Sequence, residues 1–151
     1  MTPLAQRHFS RILLIKPSAV GDVIHTLPVL VKLRKRYPDA QIDWFITPEN
    51  ADLVRAHPAL SGTVLFPRRQ YARFAFSPTA TLGVARLLRQ LWRARYDLVV
   101  DVHGQARSAV FTLATGAKCR VGYSRAREGA WLAYSHRVPV PTMDRHAVDR
   151  Y

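Results

Sequence analysis

The 151-residue chain contains one cysteine, Cys119. A single thiol excludes an intrachain disulfide and any cysteine-cluster metal site, and it suits a reducing compartment. Long apolar runs are missing as well. After Arg7 and Arg11 only Ile12-Leu13-Leu14-Ile15 precedes Lys16, too short for the core of a signal peptide or a membrane span. No acidic residue occurs between Asp52 and Asp97, whereas Arg55, Arg68, Arg69, Arg73, Arg86, Arg89, Arg93 and Arg95 all fall there. Three phosphate or nucleophile motifs are absent too. There is no Gly-x-Gly-x-x-Gly after the first apolar run, no Gly-x-x-x-x-Gly-Lys-Ser/Thr and no Gly-x-Ser-x-Gly. Dinucleotide-fingerprint, P-loop and nucleophile-elbow readings therefore fail.

What is present is an ordinary globular composition with an unusual charge. Hydrophobic residues make up 48% and charged residues 22% of the chain. Its length allows one domain burying roughly two-thirds of its unfolded surface. Twenty-three Lys and Arg against ten Asp and Glu give a formal charge of +13. Such a balance attracts polyanions: nucleic acid, an anionic membrane or a phosphorylated substrate. A solvated arginine-rich face is the plainer alternative, because arginine also occurs freely outside the acid-free stretch.

Apolar runs and amphipathic stretches alternate. Strands are expected at Arg11 to Lys16, Gln41 to Thr47, Thr63 to Phe66, Leu98 to Val102 and Arg120 to Gly122. Helices are expected at Asp22 to Arg36, from Pro48 through Arg55, at about Thr81 to Arg95 and at about Ala106 to Thr115. The first presents Val23, Ile24, Leu27, Leu30 and Val31 at helical spacing. The third presents Val84, Ala85, Leu88, Leu91 and Trp92, with Arg86, Arg89 and Arg93 opposite. Pro28 either bends the first helix or marks a later start nearer Thr26. Pro67 to Ala80 reads as a mobile loop. Asp144 is placed to cap a further helix that stops within about two turns, which suggests a truncated chain. This alternation implies an α/β, Rossmann-like parallel sheet with helices on both faces.

The stretch Lys16-Pro17-Ser18-Ala19-Val20-Gly21-Asp22 joins the first strand to the first helix. It lies at a carboxyl strand end, where open α/β sheets form ligand crevices. Small residues such as Ser18, Ala19 and Gly21 admit a ligand close to backbone amides at a helix start. Asp22 has two readings, a general base beside that approach or a capping residue for the first turn. His103, Gly104 and Gln105 follow the strand Leu98 to Val102 at a second carboxyl strand end. His103, His136 and His146 have no metal-ligand spacing, and no metal is expected.

Lys16 to Pro28, Tyr37-Pro38-Asp39-Ala40, Ile42-Asp43-Trp44, Tyr96 to Asp101, Gly104 with Arg107-Ser108-Ala109, Ala126-Arg127-Glu128 and His146 to Arg150 occur in one order. As an ordered set they resemble glycosyltransferase family 9, the heptosyltransferases of the bacterial lipopolysaccharide inner core, and the type I pattern more than type II. The resemblance covers nearly the whole chain. It implies the amino-terminal half of a GT-B fold. Residues 1–143 would form the acceptor-binding domain, and 144–151 would begin the connection to a donor-binding domain missing from the chain. It implies an inverting, metal-independent transfer of heptose from ADP-heptose to the Kdo region of a lipid A precursor, with no cofactor. The protein would be cytoplasmic and peripheral at the inner membrane, and the isolated fragment inactive.

By position in that pattern, Asp22 corresponds to the catalytic base. Ser18 and Gly21 would meet the acceptor, and the arginines Arg68, Arg69 and Arg73 its phosphates. Gln105 would meet sugar hydroxyls, and Arg107 or Arg127 a carboxylate or phosphate. The chain departs from the pattern at His103, where glutamine is usual, and neither His103 nor His25 receives a role. The implied partners are a phosphorylated glycolipid acceptor, a nucleotide sugar through the missing domain, and an anionic membrane surface, with no specific nucleic acid. The alternative is a basic Rossmann-like module that binds nucleic acid without catalysis, stacking bases on Tyr71, Phe74 and Phe76.

Overall fold

The computed structural model describes residues 3–139. Six strands form one parallel sheet: β1 (Arg11–Ile15), β2 (Gln41–Ile46), β3 (Gly62–Leu65), β4 (Leu98–Asp101), β5 (Cys119–Tyr123) and β6 (His136–Val138). Their spatial order is β3-β2-β1-β4-β5-β6. Five helices connect them: α1 (Val20–Arg36), α2 (Pro48–Ala51), α3 (Arg68–Tyr71), α4 (Pro78–Arg93) and α5 (Ala106–Ala114). Short 3-10 segments occur at Leu4–Gln6 and Arg127–Ala133. The sheet is the doubly wound, Rossmann-like arrangement, and its order reverses between β1 and β4.

Central strands of such a sheet are covered on both faces, so their sequences are continuously apolar. Ile12, Leu13, Leu14 and Ile15 are all fully buried. Alternate side chains serve opposite layers. Ile12, Leu14, Ile42, Trp44 and Ile46 pack with Val23 and Leu30 of α1. Leu13, Ile15, Phe45 and Val64 pack with Leu87 and Leu91 of α4 and Phe111 of α5. Phe111 lies 4.9 Å from the Phe45 ring and 5.0 Å from Phe66. Outside the core, Asp97 fixes the start of β1, its carboxylate accepting from the amides of Ser10 and Arg11 at 2.8 and 3.0 Å.

Several expectations need correction. α1 begins at Val20 and runs through Pro28 without interruption. Pro28 and Ile24 both sit on the solvent side, so the carbonyl that a proline leaves without a partner opens to water. On α1 the core takes Val23 and Leu30, while Ile24 and Val31 point outward. On α4 the buried stripe is Ala80, Leu87 and Leu91; Ala85 and Trp92 face solvent. The apolar residues of each helix span more of its circumference than the sheet can cover. α2 ends at Ala51 and continues only as turns, and α3 interrupts the expected loop. The expected helix after Asp144, with the connection at 144–151, lies outside the described residues.

The strand β6 was not anticipated. It is a three-residue edge strand whose His136 and Arg137 give no apolar pattern. Tyr134 precedes it, and its ring packs against β5 at Gly122. A Cβ on Gly122 would fall inside that ring, which makes glycine a packing requirement at position 122.

Candidate active site

The loop after β1 is held by donors from β2 and α2. The Trp44 indole donates to the Lys16 carbonyl at 3.0 Å. The Pro17 carbonyl accepts from the Thr47 amide and hydroxyl, both at 3.1 Å, and from Asn50 Nδ2 at 3.3 Å. Lys16 is thereby buried with its ammonium at the carboxyl end of the sheet. Its Nζ lies 3.0 Å from Oδ2 of Asp22, in the first turn of α1.

The Asp22 side chain remains 40% exposed. The helix N-cap is Ala19, with no side-chain capping bond. Asp22 is therefore placed as a solvent-accessible carboxylate paired with an enclosed cation, and the capping reading does not apply. A Cβ at Gly21 would meet nothing within 4 Å, so the approach to this turn is open. His25, the next helical turn along, is half-buried.

The loop after β4 is organised by Asp101, which is fully buried. Its Oδ1 accepts from the amides of His103 and Gly104 at 2.9 and 3.1 Å. Its Oδ2 accepts from the Tyr134 hydroxyl at 2.8 Å. Gly104 takes φ +68°, a conformation suited to glycine. The start of α5 is held by Ser108, whose hydroxyl accepts from the Gln105 amide and donates to the Gln105 carbonyl. The Glu128 carboxylate accepts from the Ala106 amide at 3.1 Å, a negative charge at the amino end of α5. Asp101 is thus a structural carboxylate.

His103 stands between the two loops. Burial first, and then the Lys16 ammonium, push its pKa below the ordinary histidine value; Asp101, Gln105 and Asp22 act in the opposite direction. Its Nδ1 is enclosed without a hydrogen-bond partner among the described residues. A narrow crevice here is lined by Pro17, Ser18, Arg68, His103, Arg107 and Phe111.

Of the sequence candidates, Ser18, Arg68 and Arg107 therefore share one crevice, with Gln105 in the loop beside it and Gly21 and Asp22 in the first turn of α1. Arg69 is exposed on α3. Arg73 lines a separate cavity with Gln70, Arg86 and Gln90. Arg127 is exposed, and its backbone amide donates to the Gly104 carbonyl. Lys16 was missed as a functional group. The signal was a lysine directly after four apolar strand residues, a position that the fold buries and that demands a counter-charge. Trp44 and Asn50 were missed as supports of the Lys16-Pro17 turn. Among the described residues no three His, Cys, Asp or Glu side chains come together, and no helix is long and apolar enough to cross a membrane.

These features define a Rossmann-like domain with an ion-paired carboxylate and a cationic crevice at its topological switch point. The description "Glycosyltransferase family 9 (heptosyltransferase)" matches residues 84–151. Lipopolysaccharide heptosyltransferase 1 of Pseudomonas aeruginosa is 32% identical over 142 residues, covering 93% of this chain and 40% of that protein. The Salmonella typhimurium protein of the same name is 31% identical, with 93% and 45% covered. In structure, Escherichia coli heptosyltransferase WaaC with ADP-2-deoxy-2-fluoro heptose superposes with a TM-score of 0.82 at 28% identity, covering 93% of this chain and 45% of that one. The chain belongs to glycosyltransferase family 9. It spans less than half the length of these relatives.

Two outcomes follow from the geometry. Asp22→Asn removes the carboxylate from an enclosed ammonium, whereas Lys16→Met leaves a carboxylate that water reaches. Thermal unfolding should show Asp22→Asn costing about 2 kcal/mol, less than a fully buried pair because Asp22 is half-open, and Lys16→Met costing clearly less. The double variant should recover part of the Asp22→Asn loss; simple additivity would contradict the pairing.

For His103 the folded-state pKa is the lower one, so below about pH 6.5 the unfolded chain binds a proton that the folded chain excludes. Stability should fall as pH drops from there toward the folded-state value. His103→Gln should show a flatter dependence of Tm on pH between 7.5 and 5.5. Parallel curves for the two proteins would contradict the burial argument.

Proposed function

We propose that this chain is the acceptor-binding half of a GT-B heptosyltransferase of the type I kind, with Asp22 as catalytic base. The observation that carries the reading is the Asp22 carboxylate, accessible yet ion-paired to Lys16, at the carboxyl end of β1 beside a crevice bearing Arg68 and Arg107. In the reaction, a hydroxyl oxygen of the Kdo-bearing acceptor attacks the anomeric carbon of ADP-heptose. The bond to the diphosphate breaks with inversion, ADP leaves with the electron pair, and Asp22 takes the hydroxyl proton. Lys16, 3.0 Å away, holds that carboxylate in place.

The acceptor's carboxylates and phosphates suit Arg68 and Arg107 in the crevice, with Arg69, Arg73 and Arg127 as outlying charges. Ser18, the open approach at Gly21, and Gln105 accommodate its hydroxyls. The positive charge these residues supply fits transfer without a metal. The +13 charge fits work at an anionic cytoplasmic membrane face.

Donor binding is assigned to a second domain, in keeping with the share of each relative that this chain spans. The nucleic-acid alternative is weakened because Tyr71 packs 5.9 Å from the Phe66 ring and against Gly83, leaving only Phe74 and Phe76 to stack bases.

Calorimetry on residues 1–151 separates the two binding roles. A deacylated, phosphorylated Kdo saccharide should bind weakly, and Arg68→Ala with Arg107→Ala should weaken it about tenfold, modest because both arginines are exposed. ADP should give no saturable heat. Stoichiometric micromolar ADP binding would place the donor site in the wrong half.

A further inference from the structure

A groove of about 500 Å³ opens between α3, α4 and α5. Its apolar lining includes Phe74, Val84, Leu88, Val110 and Phe111, and among the described residues its only charged lining residues are Arg68 and Arg107. Val110 and Phe74 are 56% and 54% exposed, an unusual degree for apolar side chains grouped around one depression. The groove is continuous with the crevice beside the Lys16–Asp22 pair, because Phe66, Arg68, Arg107 and Phe111 line both. The order along the surface is therefore the crevice beside the Lys16–Asp22 pair, two arginines, apolar groove. A molecule matching it carries hydroxyls, then an anionic group, then a hydrocarbon chain.

We propose that this groove holds one acyl chain of the anionic amphiphile whose head group occupies the crevice. Resting on the acceptor reading above, this assigns the lipid part of the acceptor to α3, α4 and α5. The two arginines contact the anionic group between head and chain. The charge pattern selects this occupant. A cationic or neutral amphiphile gains nothing from Arg68 and Arg107, and a free phosphosaccharide leaves the apolar walls in water. Each methylene taken up fully by such a groove raises affinity about fourfold.

The test is binding of defined amphiphiles to residues 1–151 by calorimetry, each below its critical micelle concentration. Dodecyl phosphate should bind with one-to-one stoichiometry and at least tenfold more tightly than octyl phosphate. Dodecyl maltoside should bind at least tenfold more weakly than dodecyl phosphate, and inorganic phosphate should give no saturable signal. Val110→Asp and, separately, Phe74→Asp place a charge at exposed positions of the groove and should each cut dodecyl phosphate affinity tenfold or more, with an unchanged circular dichroism spectrum. Arg68→Gln with Arg107→Gln should erase the preference for phosphate over maltoside.

Equal binding by the wild-type chain and both aspartate variants would overturn the proposal, as would the absence of any chain-length dependence. The deacylated saccharide separates this outcome from the wider reading. If it binds while dodecyl phosphate does not, the groove assignment alone falls. If dodecyl phosphate binds in the Val110-dependent way and the saccharide does not, the groove stands and the acceptor assignment falls.

Discussion

The enclosure of the Lys16 ammonium is the constraint on which the site depends. A lysine that follows four fully buried strand residues has no route to bulk water, and an isolated buried ammonium costs several kcal/mol. The chain meets that cost with a carboxylate six residues later, in the first turn of α1, where a negative charge is also favoured by the helix. The intervening turn must then be short and small, which is what Pro17, Ser18, Ala19 and Gly21 provide. Asp22 is left both firmly placed and accessible, the combination that a proton acceptor needs.

A second device mirrors the first on the neighbouring strand. Asp101 at the end of β4 is fully buried and accepts from two successive backbone amides and a tyrosine hydroxyl. It freezes the loop that carries His103 and Gln105 and positions the start of α5. Both devices sit on adjacent strands of the sheet, so the floor of the crevice inherits the rigidity of the core. The cationic groups Arg68 and Arg107 come instead from exposed positions on short or terminal helical segments. A rigid carboxylate centre with more adaptable arginines around it suits an acceptor of irregular shape.

Much of this was legible in the sequence, for identifiable reasons. Strands β1, β2 and β4 are buried on both faces, and their apolar runs carry that directly. Asp22 stood out by its place after a small-residue turn at a strand end, but its surroundings in sequence left a capping reading open, and the base assignment came from the family resemblance. The edge strand β6 left no trace, since its three residues are held by β5 rather than by a core face. The segment Arg127–Ala133 was hidden because Glu128 and Gly129 adopt positive φ in its middle and break any helical period. Charge could be counted but not aimed: Arg68 and Arg73 are five residues apart and line different cavities. The Lys16–Asp22 pair was missed because the lysine read as the end of a strand rather than as a demand for a counter-ion.

The central claim is that Asp22 takes the acceptor proton while its pairing with Lys16 holds it in position. The most direct test is single-turnover transfer at saturating substrates, by a full-length chain carrying the proposed donor domain, with Asp22 replaced by Asn. Circular dichroism and acceptor binding must first match the unmodified enzyme. The account predicts a transfer rate lower by a factor of about one hundred to ten thousand, with acceptor affinity little changed. A variant that keeps half the original rate would contradict it.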